Sequence, residues 1–442
     1  MITSNIYRKF LFRHSRKEIS FLKFSQYWST KKIKDYQFNK IKELLQHSYD
    51  NVSYYTNVFN ELKIKPKDIR TNKDLEILPI LTKDIVRKNF KSLIAKNYNE
   101  ESLIHNSTGG STGEPLKYFQ DRQYEKWANA ARIRGWYDIA GCENGETSAV
   151  LWGAMHEVKE NFSAFERIKD YVLNGELYLN AFNLSDDRKI EFIKLCSIIK
   201  PKILRGYFTA IKDFAIFIDQ NKLKFPKLKG IILGAETVDE ESQQLIERVF
   251  KAPSYNTYGG RELSLIAMEC EHKNGLHEIS ENNFVEFEPI TLTNYEDAGN
   301  LIITNLNNYA MPFIRYRIGD IGIPGDGKPC SCGRGLPLIK KVIGRTTEVF
   351  TFYDGTKIAG EMFIHLMKSF PVNEYQFIQT SEEKVLLRYK KSSKISDNLK
   401  KEIVRTYKGY LPEQTSIEFE AVETIEKTPT GKFRFVLKDF TV

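Results

Sequence analysis

Hydrophobic positions between residues 38 and 55 recur at helical spacing. Phe38, Ile41, Leu44, Leu45 and Tyr49 fall on one face, which predicts a packing helix. From about residue 120 to 250, helical stretches alternate with short apolar runs such as Lys229-Gly230-Ile231-Ile232-Leu233-Gly234. That alternation predicts an α/β arrangement whose strands end in site-forming loops. Beyond about residue 345 the texture becomes a compact mixture, with strands expected near 347–353, 376–380, 384–390 and 415–420 and a helix near 393–410. Two domains follow, 1–345 and 346–442, the second a small α+β unit. No internal repeat or low-complexity linker separates them.

Composition narrows the class. Apolar residues make up 41% and charged residues 28%, near globular averages, which excludes a disordered or fibrous chain. The net charge of +9 raises the question of nucleic acid, but 66 basic residues are interleaved with 57 acidic ones, and no basic helix or finger concentrates them. A small polyanion needs only a local positive site. The basic, aromatic N-terminus lacks the unbroken apolar stretch of a signal peptide, and no run of about 18 apolar residues offers a transmembrane segment. A cytoplasmic protein with a packed N-terminal helix is expected. Five cysteines, mostly far apart, do not form a disulfide framework and read as thiols or metal ligands.

Five segments carry candidate chemistry. Ser107-Thr108-Gly109-Gly110-Ser111-Thr112-Gly113 combines glycines, which let successive N–H groups turn inward, with hydroxyl donors for phosphate oxygens. It lacks the Gly-Lys-Ser/Thr ending of a Walker A loop. Tyr258-Gly259-Gly260-Arg261-Glu262 supplies a ring for adenine, two close-approach glycines and a carboxylate suited to Mg²⁺. Tyr316-Arg317-Ile318-Gly319-Asp320 offers a carboxylate to a ribose diol, and Gly344-Arg345-Thr346-Thr347-Glu348 an arginine at the domain junction. Lys427-Thr428-Pro429-Thr430-Gly431-Lys432 presents a lysine after a tight turn. Singly, the first divides evenly between such a loop and a surface turn, and each of the others is more often a turn or a solvated charge.

Taken in order, the five resemble the adenylate-forming superfamily of acyl-CoA synthetases, adenylation domains and luciferases. Val52-Ser53-Tyr54-Tyr55, Asp74-Leu75-Glu76-Ile77-Leu78-Pro79 and Gly234-Ala235-Glu236-Thr237 extend the likeness over nearly the whole chain, toward the phenylacetate-CoA ligase branch and its CapK-like members of capsular polysaccharide clusters. The resemblance implies a large adenylation domain of sheets flanked by helices and a small mobile lid. Residues Ser107 to Gly113 would handle the β- and γ-phosphates, while Gly234, Ala235, Glu236, Tyr258, Gly259 and Gly260 would line the adenine pocket. Glu262 would hold Mg²⁺, Asp320 the ribose diol, Arg345 the ribose near the hinge, and Lys432 would be the catalytic lysine. The usual acidic hinge residue is replaced by Thr347, with Glu348 following.

The implied reaction joins a carboxylic acid to ATP, releases pyrophosphate, and passes the acyl group of the acyl-AMP to a thiol, with coenzyme A the first expectation. The alternatives are transfer to an amine on a cell-surface sugar and an inactive adenylate-binding scaffold. Trp136, Trp152, Gly153 and Tyr207 are expected near the acid. Cys330-Ser331-Cys332-Gly333 lies downstream of Cys270-Glu271-His272 and His277. By the same resemblance Cys270, His277, Cys330 and Cys332 would form a closed, structural Zn²⁺ site. Spacing alone does not choose between His272 and His277, and the Gly-Leu-His context favours His277.

Overall fold

The computed structural model describes residues 14–108, 115–141, 146–153, 171, 175–181, 184–372, 374–393, 395–426 and 434–440. The chain divides into two compact units. The first comprises residues 1–286, 302–318 and 325–340, and the second 287–301, 319–324 and 341–442.

In the first unit, parallel strands Glu176–Asn180, Ser148–Trp152, Ile203–Tyr207, Gly230–Gly234 and Ser254–Gly260 lie in that spatial order. Strands Ser264–Glu269 and Leu276–Glu278 continue the sheet antiparallel. The Gly230–Gly234 run is buried throughout, as a parallel strand covered on both faces requires. Helices Asp186–Ile199, Phe208–Gln220 and Glu240–Phe250 pack one apolar core with this sheet through Phe192, Phe214, Leu233 and Phe250. A second core joins Ile203, Ile232, Tyr255 and Met268 to Ala130, Ala131 and Ile133 of helix Arg122–Ile133, and to Ile19 and Leu22 of helix Arg16–Ser25.

The apolar stripe read over 38–55 belongs to two helices, Thr30–Asn51 and Ser53–Glu61. Ile41, Leu44 and Leu45 are buried as expected. Val52 is extended between them (φ −116°, ψ 107°), and Tyr55, Val58 and Phe59 carry the stripe on in the second helix.

The second unit holds a four-stranded sheet in the order Ser416–Val422, Lys384–Lys390, Tyr375–Ser381, Val436–Lys438, with helices Gly360–Met367 and Asp397–Lys408. Its core draws on Phe350, Phe363, Phe377, Leu387, Tyr407 and Val436. Among the described residues no helix is long and apolar enough to cross a membrane.

Candidate functional site

The carboxyl ends of two neighbouring parallel strands bring the adenine-pocket candidates together. Gly234 closes one strand, and its backbone lies so near Thr257 of the next that a β carbon would come within 2.8 Å of Thr257 Oγ1. Ala235 follows in the left-handed region at φ +65°. The Glu236 carboxylate turns back to accept from the Thr209 backbone N–H and from Thr209 Oγ1, both at 2.8 Å. It thereby caps helix Phe208–Gln220, whose first N–H groups lack intrahelical partners. Beside Gly234 lies Tyr207, stacked on Trp152 with ring centroids 4.3 Å apart. Trp136, the other aromatic expected near the acid, lies under the Arg205 guanidinium at 4.7 Å.

Tyr258, Gly259 and Gly260 end the strand Ser254–Gly260, which pairs back on Ser264–Glu269 through a bulge between Tyr258 and Gly259. Glu262 sits in the connecting turn and is 8% exposed. Tyr316 Oη donates to its Oε1 at 3.2 Å, and its backbone carbonyl accepts from Tyr124 Oη and Gln120 Nε2, each at 3.2 Å.

Gln120 links Glu262 to the expected phosphate loop. Strands Ile104–Ser107 and Lys117–Gln120 form an antiparallel hairpin in which Ser107 pairs with Lys117. At its neck the Thr108 N–H donates to the Leu116 carbonyl, and the Leu116 N–H to Thr108 Oγ1, both at 2.9 Å. The Thr108 hydroxyl therefore helps close the hairpin. Gln120 Oε1 accepts from Asn106 Nδ2 at 2.8 Å while its Nε2 reaches Glu262. On the hairpin's other side Asn308 Nδ2 donates to the Phe119 carbonyl at 2.9 Å. An isolated two-stranded hairpin is marginal in water, and these buried amides fix it in place. Gly109, Gly110, Ser111, Thr112 and Gly113 lie outside the described residues.

In the second unit, Arg345 Nε lies 3.6 Å from Asp320 Oδ1. The Arg345 N–H donates to Glu348 Oε2 at 3.4 Å, and Thr346 Oγ1 to the Gly319 carbonyl at 3.2 Å. Thr347 is the middle residue of the single 3₁₀ turn Thr346–Glu348. Burial raises the Glu348 carboxyl above the usual range, against the pull of the Arg345 N–H and of the Arg434 and Arg345 guanidinium groups. Lys432 lies outside the described residues.

The thiols and the imidazole meet in the first unit. The ligating atoms of Cys270, His277, Cys330 and Cys332 all lie within 4.8 Å of one another. Cys270 Sγ is 3.7 Å from Cys330 Sγ, and Cys332 Sγ 3.3 Å from His277 Nε2. A tetrahedral zinc with Zn–S bonds of about 2.3 Å has S···S edges of about 3.8 Å, so the cluster fits that ion. A tight turn places Cys330 and Cys332: the Gly333 N–H donates to the Cys330 carbonyl at 3.1 Å, with Gly333 at φ +81°. His272 adds a backbone N–H to Cys270 Sγ at 3.4 Å. Without a cation, burial lowers His277 to about 4 and pushes Cys270 up to about 12.

Gln120, Tyr124, Thr209 and Asn308 belong to none of the sequence motifs. Their partners lie far off in the chain, and a lone glutamine or asparagine beside a strand has no local signature.

Residues 350–439 match the CapK C-terminal domain family. Over 412 residues the chain is 26% identical to Protein CapK of Staphylococcus aureus, covering 91% of this chain and 88% of that protein. It is 26% identical over 332 residues to the phenylacetate-coenzyme A ligase of Pseudomonas putida, covering 72% and 71%. Among solved structures, a 2-hydroxyisobutyryl-CoA ligase in the postadenylation state, in complex with R3-HIB-AMP, superposes with a TM-score of 0.71. That match has 16% identity and covers 94% of this chain and 91% of the other. These relatives bear out the family likeness read from the ordered motifs, and the mixed α/β fold with a separate C-terminal part is the one expected.

Proposed function

We infer that this adenylate-forming ligase, a homologue of CapK and of the phenylacetate-coenzyme A ligases, activates a carboxylic acid with ATP and transfers the acyl group to the thiol of coenzyme A. The observation that carries the reading is the convergence, in one unit, of Gly234–Glu236, Tyr258–Gly260 and Glu262 on adjoining strand ends, with the phosphate-loop hairpin tied to Glu262 through Gln120. A scaffold that only bound an adenylate would need neither Glu262 nor Lys432, and the sequence has both.

In the first step a substrate carboxylate oxygen attacks the α-phosphorus as the bond to the bridging oxygen breaks, so that pyrophosphate leaves and an acyl-AMP remains. In the second, the thiol sulfur attacks the acyl carbon, loses its proton, and AMP departs. Glu262 would hold magnesium through its hard oxygen donor, and the bound ion would neutralise charge on the phosphates. The remaining roles belong to side chains. Tyr258 and the glycines beside it receive adenine, Asp320 and Arg345 the ribose, and Ser107, Thr108 and the loop that follows the terminal phosphates. Lys432 places a positive charge where negative charge grows in the transition state, so it favours that state over separated reactants.

Acid-dependent exchange of labelled pyrophosphate into ATP, run across aryl, short hydroxy and amino acids, tests the reading. Lys432→Ala is expected to lower exchange by about 10² to 10³, the effect of removing one preorganised donor. Full exchange without the lysine overturns its role, and absence of exchange with every acid overturns acid activation. Product analysis separates a thioester from an amide formed on a sugar amine.

Cys270, His277, Cys330 and Cys332 hold a structural zinc in this reading, since four protein ligands leave no position for a reacting water. Metal analysis of protein purified without chelators is expected to give about one zinc per chain. Folded protein lacking stoichiometric metal rejects it.

A further inference from the structure

Glu262 is surrounded by buried donors, and one of them has no acceptor among the described residues. Tyr316 and Tyr124 direct their hydroxyls at its carboxylate and its carbonyl, and Gln120 adds an amide N–H. Tyr118, on the hairpin strand Lys117–Gln120, is 2% exposed, yet its hydroxyl makes no hydrogen bond among the described residues. Burial first, and the charge of Glu262 second, hold that hydroxyl protonated and therefore a donor. Its ring is fixed from the side by Phe313, with centroids 6.3 Å apart, and Phe313 in turn packs on Tyr316 at 4.8 Å.

An orphaned buried hydroxyl is costly and uncommon, and in a binding site a ligand can supply the missing acceptor. We propose that Tyr118 is a nucleotide-binding residue whose hydroxyl donates to an oxygen of the magnesium–triphosphate group seated at Glu262. The inference rests on the ATP site proposed above and adds to it a contact that no motif marks. Tyr118 stands on the strand that leads out of the phosphate loop, two residues before Gln120, so the same short segment supplies the donor and the link that fixes Glu262.

Tyr118→Phe keeps the ring and removes only the hydroxyl. A hydroxyl kept for the ligand and one kept for the fold then give opposite results. If the ligand completes it, the ligand-free variant melts at the same temperature as wild type or higher, because a buried orphan has gone. The KM for MgATP in pyrophosphate exchange rises about five- to tenfold, the loss expected of one hydrogen bond, while the KM for the acid stays unchanged. Calorimetric titration of the full chain with a non-hydrolysable MgATP analogue gives the same fold-change without turnover. That shift supports the assignment even where no acid supports exchange, so the two readings fail separately. Unchanged MgATP affinity overturns the assignment. A lower melting temperature with unchanged affinity also overturns it and marks the hydroxyl as structural.

Discussion

Gly259 shows how little freedom one position in the site retains. A β carbon there would lie 2.3 Å from the Ser264 carbonyl oxygen and 3.1 Å from Leu265 Cα, both backbone atoms of the paired strand. Neither can yield without opening the hairpin that carries Tyr258 and Glu262. At Gly260 the nearest atoms are side-chain ends, Glu262 Oε2 at 3.2 Å and Ile318 Cδ1 at 3.3 Å, which can move aside. Gly259→Ala is expected to cost about 1 to 3 kcal/mol of stability, the usual range for overpacking. Gly260→Ala should cost less in stability and show itself in the magnesium dependence of exchange, since it presses on the carboxylate. Thermal denaturation of the two variants checks the order, and equal melting temperatures would contradict it. Glu236 shows a different limit of residue-level reading. Its motif points to the nucleotide, yet one carboxylate oxygen is engaged by Thr209, 27 residues earlier.

At the scale of elements, spacing revealed faces better than ends. The buried positions Ile41, Leu44 and Leu45 were legible because an apolar stripe is a local property. The break at Val52 was not, since the stripe continues through it in the next helix. Strands expected at 376–380 and 384–390 appear as Tyr375–Ser381 and Lys384–Lys390, whereas Val436–Lys438 went unread: three residues become a strand only by pairing with Tyr375–Ser381, some sixty positions earlier. The cysteine cluster was legible in part. Cys330 and Cys332 share one turn, but the approach of Cys270 and His277 depends on pairing between Leu276–Glu278 and the residues around Leu338.

The same short strand hides a titration that no spacing announces. Glu278 is 6% exposed, and burial raises its carboxyl from the ordinary 4.5 to about 8, with Lys34 pulling the other way. The folded state thus favours the neutral acid, and the unfolded chain the carboxylate. The stability from this group is fully present below about pH 4.5 and is lost as pH rises through 8. Glu278→Gln removes the titrating proton while nearly preserving shape. Its stability relative to wild type should therefore rise steadily between those pH values. Denaturant unfolding at a series of pH values measures the difference, and parallel curves for the two proteins would refute it.

At the scale of the molecule, the two units carry separate cores. The buried cluster of the second, from Phe350 to Val436, contains no residue before 350, and the main sheet core of the first lies between Ala149 and Ala252. A chain ending at residue 345 keeps the second of these intact. It cuts a smaller cluster in which Leu292, Ala298, Ile321 and Ile343 pack on Ala359, and it loses the partners of Tyr295 and Lys341, both paired with Glu361. Half-exposed polar contacts of this kind are worth at most about 1 kcal/mol each, small beside a core of that size. The fragment is therefore expected to unfold cooperatively and to bind MgATP, because the Glu262 seat and the phosphate-loop hairpin are wholly its own. Without Lys432 it should exchange pyrophosphate no faster than full-length Lys432→Ala. Calorimetry and exchange on the purified fragment decide the matter. Exchange at the full-length rate would show that the chemistry needs nothing beyond residue 345, and a fragment that neither folds nor binds nucleotide would show that the first core does not stand alone.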